Sequence, residues 1–390
     1  MKNSLIIQSG GPTSVINSTL HGIVKELKKQ NIGEIYGAKH GVLGLINNDL
    51  INLTDISETN LNLLKQTPGA ILGSSRHKLN DSYNSEEYKA IKENIINNNI
   101  GYIFINGGND SMDTGDKLNK FLIKNNLDCK ILGVPKTIDN DLINIDHTPG
   151  YGSALKYIAN TISCIHQDIK CYAKGKVTIV EIMGRDTGWL TAGSLLAGDN
   201  KPDLIYLPEG EFSLEAFLKD IEKVYNEKRY ALVCISEGVE LNDDTSYKID
   251  NFGHKQLGGL ASRLEKIVDN ELHIPTRSIE LNLMQRCSTF INSKCDVTEA
   301  IKCGSFAVKS ILKGETGKMV TMIRTSDYKI KYDLTPLAPI ANSIKYFPKE
   351  WIINNNYISD KFKEYALPLI QGENKIEYSN GIIKFSNINK

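Results

Sequence analysis

The sequence predicts an α/β chain of two doubly wound parallel sheets, Rossmann-like units with helices on both faces of each sheet. Three observations carry this: short apolar runs alternate with amphipathic segments, the alternation restarts after a long helix, and the runs end in glycine or carboxylate turns. Strands alternating with helices favour parallel pairing, because a parallel crossover needs a helix. "NSLIIQ" reads as the first strand. The helix after it, "VINSTLHGIVKELKKQ", keeps Val15, Ile16, Leu20, Ile23, Val24 and Leu27 on one face, with lysines at its far end. "GEIYGAKHG", "GYIFI" and "CKILGV" follow as strands, the last two separated by the helix "DTGDKLNKFLIKNN". The pattern restarts with the helix "GSALKYIANTISCIHQDIK", the strand "KVTIVEIMG" and the helix "WLTAGSLLAG". The strand "DLIYLPEG", the helix "LEAFLKDIEKVYNEK" and the strand "YALVCISEG" complete a second unit. "HKQLGGLASRLEKIVDNEL" and "DVTEAIKCGSFAVKSILKG" read as later helices, and "YSNGIIKF" as a hairpin closed by a two-residue Asn-Gly turn. No linker rich in Gly, Pro and Ser divides the halves, so the two units are expected to pack closely around a ligand cleft.

The bulk numbers exclude several classes. At 390 residues and 43.4 kDa the chain is long for one core and comfortable for two. Its 41% hydrophobic and 24% charged residues are ordinary for a soluble globular enzyme. Lys+Arg and Asp+Glu are equal at 46 each, so no basic footprint for nucleic acid exists and any anion must be held by local charge. The N-terminal apolar run is too short for a secretion signal, and no stretch approaches the ~18 apolar residues of a membrane span. A cytoplasmic protein with no membrane partner is expected. The 7 cysteines form no CxxC pair; Cys287, Cys295 and Cys303 recur every eight residues but lack a nearby histidine, so buried thiols in a reducing cytoplasm fit better than zinc.

Ligands of parallel sheets bind beyond the carboxyl ends of the strands, so the residues after each strand hold the candidate chemistry. These are Gly10-Gly11, Asn106-Gly107-Gly108-Asn109-Asp110, the loop "PKTIDND" at 135–141, Met183-Gly184-Arg185 and Ser236-Glu237-Gly238. The two glycine corners open helices, where free backbone N–H groups suit a phosphate. In "PKTIDND" two readings stay open. Asp139 or Asn140 caps local backbone in an Asx turn, or Asp139 and Asp141 form a catalytic pair whose charge Lys136, Arg185 or Mg²⁺ offsets. Asp110 equally suits a helix N-cap, Lys136 a solvated lysine, Arg185, Arg277 and Arg286 surface ion pairs, and Glu237 a plain strand-edge residue.

At these strand ends the sequence resembles the phosphofructokinase family over most of its length. "SGGPTSVIN", "GAILGSSR", "NGGNDS", "PKTIDND", "EIMGRDTGW", "ISEG" and "TRSIELNLMQR" follow in the family's order. The resemblance implies a phosphoryl-donor domain over 1–146 and about 285–333, and a sugar-phosphate domain over about 147–284 and 334–390, with the active site in the cleft between them. It implies attack of the 1-hydroxyl of fructose 6-phosphate on the donor, giving fructose 1,6-bisphosphate. Carried over, Asp139 is the general base, Asp141 orders the site beside it, and Thr137 and Ile138 belong to the sugar-binding loop. Met183, Gly184 and Arg185 bind the sugar phosphate and its approach, Glu237 its hydroxyls, and Arg277 and Arg286 its 6-phosphate, flanked by Leu283 and Lys176. Gly11, Arg76, Gly107 and Gly108 serve the donor phosphates.

The resemblance also bears on the donor. ATP-dependent relatives usually carry glycine where this chain has Asp110 and Lys136, and the pyrophosphate-dependent branch carries aspartate and lysine there. Asp110 would fill and repel the place of a nucleotide α-phosphate, and Lys136 would neutralise charge as the bond breaks, so diphosphate is the expected donor. The alternatives are an ATP-dependent 6-phosphofructokinase and a catalytically silent regulatory subunit; a lipid or NAD kinase would lack the "PKTIDND" loop.

Some positions depart from the family pattern. Mg²⁺ is implied, yet Asn109 stands at the usual metal-contacting carboxylate, where an amide oxygen could hold the ion or one of its waters. Leu283 replaces a usual His or Tyr, and Lys176 a usual arginine, keeping the charge but not the bidentate fork. Both changes would loosen specificity towards a longer sugar such as sedoheptulose 7-phosphate. His21 and Lys25 stand where effector-binding arginines are usual, so weak or no nucleotide regulation is expected. A homodimer or homotetramer is implied, with Arg277 and Lys176 reaching a neighbouring subunit.

Overall fold

The computed structural model describes residues 1–241, 258–326, 328–341 and 343–388. Its main strands are β1 (Asn3–Gln8), β2 (Ile35–Ala38), β3 (Leu50–Asn52), β4 (Ile100–Gly107), β5 (Lys130–Pro135), β6 (Val177–Ile182), β7 (Leu204–Tyr206), β8 (Ala231–Ser236), β9 (Thr276–Glu280), β10 (Lys318–Thr325) and β11 (Lys329–Pro336). They form two sheets in two compact units. The first unit holds Met1–Ser153, Arg286–Ile344 and Gly372–Lys390; the second holds Ala154–Gln285 and Lys345–Gln371.

The sheet of the first unit runs β11-β10-β5-β4-β1-β2-β3. Its inner strands are parallel, and β3 and β11 close the two edges as antiparallel strands. A parallel strand covered on both faces reads as a near-continuous apolar run, which is why "SLIIQ" and "YIFI" carry so little alternation. Ile6, Phe104, Leu132 and Val134 pack on one face of this sheet, and Leu5, Ile7, Ile103 and Ile131 on the other. The helix Ile16–Gln30 ends in Lys28 and Lys29, cations that complement its carbonyl end, and Asn31 turns it off in the left-handed region at φ +49°.

The second unit is a parallel sheet in the order β7-β8-β6-β9. Val177, Ile179, Val233 and Ile235 meet Phe217 and Ile221 of the helix Leu214–Lys228 and Leu264 and Val268 of the helix Leu260–Leu272. Each such buried side chain contributes about 1.5–3 kcal/mol.

Several details differ from the sequence expectations. β9, β10 and β11 were not legible as strands. β10 and β11 pair in full antiparallel register from Lys318↔Pro336 to Thr325↔Lys329, and β11 is an edge strand guarded by Lys329, Lys331 and a terminal proline. The segment "WLTAGSLLAG" is one α-turn, Trp189–Ala192, followed by a 3-10 stretch, Gly193–Asn200, broken at Gly198 with φ +66°. The helix expected from "HKQLGGLASRLEKIVDNEL" spans Leu260–Leu272, and 254–257 of that stretch lie outside the described residues. The expected hairpin is present: Tyr378–Ser379 pairs with Ile382–Ile383 around Asn380 and Gly381, both at positive φ as a type I′ turn requires.

The unit boundaries also differ from the expected spans. Residues 147–153, 334–344 and 372–390 join the first unit rather than the second. Strand β11 carries the chain on to Pro336 along the first sheet. The C-terminal stretch is tied down there by Gln66, whose Nε2 donates to the carbonyls of Glu377 and Lys384 and whose Oε1 accepts from Glu377 N. Only Lys345–Gln371 returns to the second unit, where Trp189 meets Phe347, Trp351 and Tyr365.

Candidate active site

In the first unit β5, β4 and β1 are neighbours, so their carboxyl ends deliver three loops side by side. Lys136 N donates to Gly107 O (3.0 Å) and Ser9 N to Asn106 O (3.0 Å), which ties each loop to the next strand. Lys136 is not a solvated lysine. It is 2% exposed, and its Nζ donates to Gly11 O at 2.5 Å. A Cβ at Gly10 would stand 3.4 Å from that Nζ, and one at Gly11 3.4 Å from Arg286 Nη1. Two cations thus lie close to this corner, and Lys136 bonds its backbone. Burial pulls the Lys136 ammonium down to about 8, against the opposing pull of Asp139 and Asp141.

The loop after Lys136 is held from within. Thr137 Oγ1 accepts from Asp139 N (3.1 Å) and donates to Asp139 Oδ2 (3.3 Å). Asn140, at φ +54°, ties the loop to a more distant segment: its Oδ1 accepts from Thr148 N (3.2 Å), eight residues on. Thr137 and Ile138 are buried, and Asp139 and Asp141 are half-buried. Gly108 caps the helix Asn109–Lys124 by backbone alone. Asp110 lies in its first turn, exposed and 3.8 Å from Lys78 Nζ, where a carboxylate favours the helix start. Arg76 is exposed on a segment pinned to the first glycine corner: Gly10 N donates to Ser75 O (3.4 Å) and Ser74 Oγ to Gly10 O (2.6 Å).

In the second unit β8, β6 and β9 are neighbours, and the loops after them also lie side by side. Gly184 sits at φ +145°; its N–H donates to Glu237 Oε1 (3.3 Å), and its carbonyl accepts from Ser236 Oγ (2.6 Å). Met183 N donates to Gln285 Oε1 (3.2 Å). Arg185 is half-buried, and its Nε is buried without a hydrogen-bond partner among the described residues, a donor placed for an anion. Lys176 stands over the Tyr172 ring at 5.3 Å. Arg277 and Leu283 are exposed. Arg286, which the sequence groups with the sugar-phosphate residues, belongs to the first unit, beside Gly11.

The family profile described as Phosphofructokinase matches residues 3–311. The chain belongs to the phosphofructokinase family. It is 34% identical, over all of its length and 96% of the other protein, to the pyrophosphate--fructose 6-phosphate 1-phosphotransferase of Halomonas elongata. It is 33% identical to the sulfofructose kinase of Alkalicoccus urumqiensis, covering 91% of each chain. The crystal structure of a pyrophosphate-dependent phosphofructokinase from Marinobacter aquaeolei superposes with a TM-score of 0.90 at 32% identity, covering 99% of this chain and 96% of that one.

Phosphofructokinase-family enzymes use a divalent metal, and oxygen donors for one are present here. Asn109 Nδ2 donates to Asp141 Oδ2 (3.1 Å), and Asn109 Oδ1 is buried without a hydrogen-bond partner among the described residues. An amide oxygen beside a carboxylate suits a hard cation. Among the described residues no cluster of three or more His, Cys, Asp or Glu side chains would cage a metal.

Two residues of this family member gained no role from the sequence. Ser111 lies in the first turn behind the second glycine corner, its Oγ buried without a partner among the described residues. A hydroxyl there can meet a phosphate, and the serine after "NGGND" was a readable signal. Gln285 positions Met183, and nothing local in the sequence marked it.

Proposed function

We propose that this chain transfers a phosphoryl group reversibly from diphosphate to the 1-hydroxyl of fructose 6-phosphate, giving fructose 1,6-bisphosphate and phosphate. The observation that carries the reading is Lys136: an ammonium buried at a bare glycine corner, three residues before Asp139. Phosphoryl transfer depends on positioning and charge neutralisation more than on covalent help. Asp139 takes the proton of the attacking hydroxyl. Lys136 and the N–H groups of Gly11, Gly107 and Gly108 meet the donor phosphates, joined by Arg76, and Asp110 disfavours a nucleotide. Arg185, Glu237, Arg277 and Arg286 hold the sugar phosphate, with Met183, Gly184, Thr137 and Ile138 shaping its place and Lys176 and Leu283 at its flank. Mg²⁺, held by Asn109 and Asp141 together with the donor, would neutralise phosphate charge. The similar identity to a phosphotransferase (34%) and to a sulfofructose kinase (33%) favours one second reading, a sulfonated sugar as acceptor. We also take the working protein to be a cytoplasmic homo-oligomer, dimer or tetramer, to which Lys176 and Arg277 contribute across subunits.

The test is the initial rate on fructose 6-phosphate with Mg²⁺, diphosphate or ATP as donor, and 6-deoxy-6-sulfofructose as a second acceptor. A rate with diphosphate and almost none with ATP is the expected result. Replacing Asp110 and Lys136 together by glycine should then raise ATP use relative to diphosphate. A wild-type rate with ATP alone would overturn the donor assignment.

Gly238 offers a separate check on the sugar loop. A Cβ there would lie 1.9 Å from Arg185 O and 2.6 Å from Gly184 O, so Gly238→Ala must displace that loop. Overpacking of this kind costs about 1–3 kcal/mol. The expected outcome is a lowered Tm and at least a tenfold higher KM for the sugar phosphate, roughly 1.4 kcal/mol of binding, with KM for diphosphate unchanged.

A further inference from the structure

Behind the Lys136–Asp141 loop lies a buried charged cluster to which the proposed chemistry assigns no role. The loop hangs on the segment 146–150. Thr137 N donates to Pro149 O (3.3 Å), Thr148 Oγ1 to Thr137 O (2.8 Å) and Thr148 N to Asn140 Oδ1 (3.2 Å), and Thr137 pairs with Gly150 as a parallel bridge. That segment is anchored at both ends. Gly150 N and Ser153 N donate to the two carboxylate oxygens of buried Asp296, each at 2.9 Å. At the other end stands His147, 1% exposed, with Nδ1 2.7 Å from Asp146 Oδ1 and Nε2 2.8 Å from Glu299 Oε2.

An ionised carboxylate can only accept, so contacts at both ring nitrogens require both to carry hydrogen, and the ring is an imidazolium. Arg324 donates from Nε (3.1 Å) and Nη2 (2.9 Å) to the same Asp146 oxygen. Tyr328 donates to Glu299 Oε1 (3.0 Å), and Cys295 Sγ donates to the Tyr328 hydroxyl (3.3 Å). Two cations thus face Asp146 and Glu299, with Asp296 at the far end of the segment. Burial alone would depress His147, yet its bonds to Asp146 and Glu299 prevail and raise it to about 9. A neutral ring would set a nitrogen lone pair against one of the two facing carboxylate oxygens, Asp146 Oδ1 or Glu299 Oε2, in a dry site, a costly state.

We propose that His147 is a positioning residue for the transfer reaction: bridging Asp146 and Glu299 as a cation, it fixes the segment 146–150 and through it the backbone that carries Asp139. This rests on the reading of Asp139 as the base. His147 touches no reacting atom in this scheme; it acts through loop geometry, chiefly on kcat through the placement of Asp139.

The test uses the full chain with Glu299→Gln and His147→Gln. Glu299→Gln keeps an acceptor for Tyr328 but removes the charge that holds the imidazolium at alkaline pH. Its kcat should stay within about threefold of wild type at pH 6 and fall to about a tenth by pH 8.5, with a smaller change in KM. Any contribution of Lys136 to the pH profile cancels in that ratio. His147→Gln cannot titrate, so the ratio of wild-type to variant kcat should shrink above pH 9. Hydrogen exchange in the peptide 136–150 should speed up in both variants while the second unit keeps its protection. A ratio independent of pH, or unchanged exchange in that peptide, would overturn the proposal. Should His147→Gln fail to fold, Glu299→Gln decides alone. The exchange experiment needs no turnover, so failure of the transferase reading shows separately, as a wild-type chain without activity whose loop still loosens.

Discussion

Asp139→Asn is expected to lower kcat about a thousandfold with KM for either substrate within a few-fold of wild type, since a placed general base typically contributes 10²–10⁴. The substitution is close to isosteric. Asp139 N still donates to Thr137 Oγ1, and the amide oxygen still accepts from that hydroxyl, so the loop keeps its shape. What is lost is the proton acceptor. The anchoring bonds of the loop, from Thr148 and Pro149, do not involve the carboxylate, so Tm should stay close to wild type. Steady-state kinetics with a thermal melt check both halves. A kcat within tenfold of wild type would remove Asp139 from the chemistry, and a large fall in Tm would make it a structural residue.

How much of this was legible in the sequence depends on how local the cause is. Parallel strands announced themselves because both faces are buried, which makes "SLIIQ", "YIFI" and "VTIVEI" apolar without interruption. Their carboxyl ends then pointed to the glycine corners and to "PKTIDND", and the sheet order does bring those loops together within each unit. β9 was hidden because Arg277 and Glu280 break its apolar run, and β11 because an edge strand needs only one covered face. The return of 372–390 to the first unit rests on Gln66, some three hundred residues away in sequence, which no window of pattern could reveal. The same holds for His147 and Glu299, which meet at 2.8 Å across |i−j| = 152. Burial of Lys136 was equally invisible. A lysine after a strand is usually solvated, and this one is buried with its Nζ on the carbonyl of Gly11.

That burial gives Lys136→Met two effects of opposite sign. Lys136 is held at about 8, below its unfolded value of 10.5, chiefly by desolvation. A lysine with a depressed folded pKa destabilises the fold while it is protonated. Below pH 8 both states bind the proton and the penalty is constant. Between about 8 and 10.5 the unfolded chain holds a proton that the folded chain has released, so stability from this group rises with pH through that window. The difference corresponds to roughly 3 kcal/mol at pH 7, partly offset by the bond to Gly11 O that methionine cannot make. Lys136→Met should therefore raise Tm at pH 7, and the gain should shrink towards pH 10. Activity moves the other way. Losing one preorganised donor at a phosphoryl group costs roughly 10²–10³ in kcat, and the loss should fall on the diphosphate reaction. In the wild type, kcat/KM for diphosphate should decline above pH 8 as the ammonium is lost, whereas kcat should hold to higher pH because a bound polyanion favours the charged form. A methionine variant that is both less stable and less active would mean that Lys136 serves the fold. A variant more stable at pH 7 and deficient only with diphosphate would mean that the folded chain retains a costly buried cation because the donor needs it.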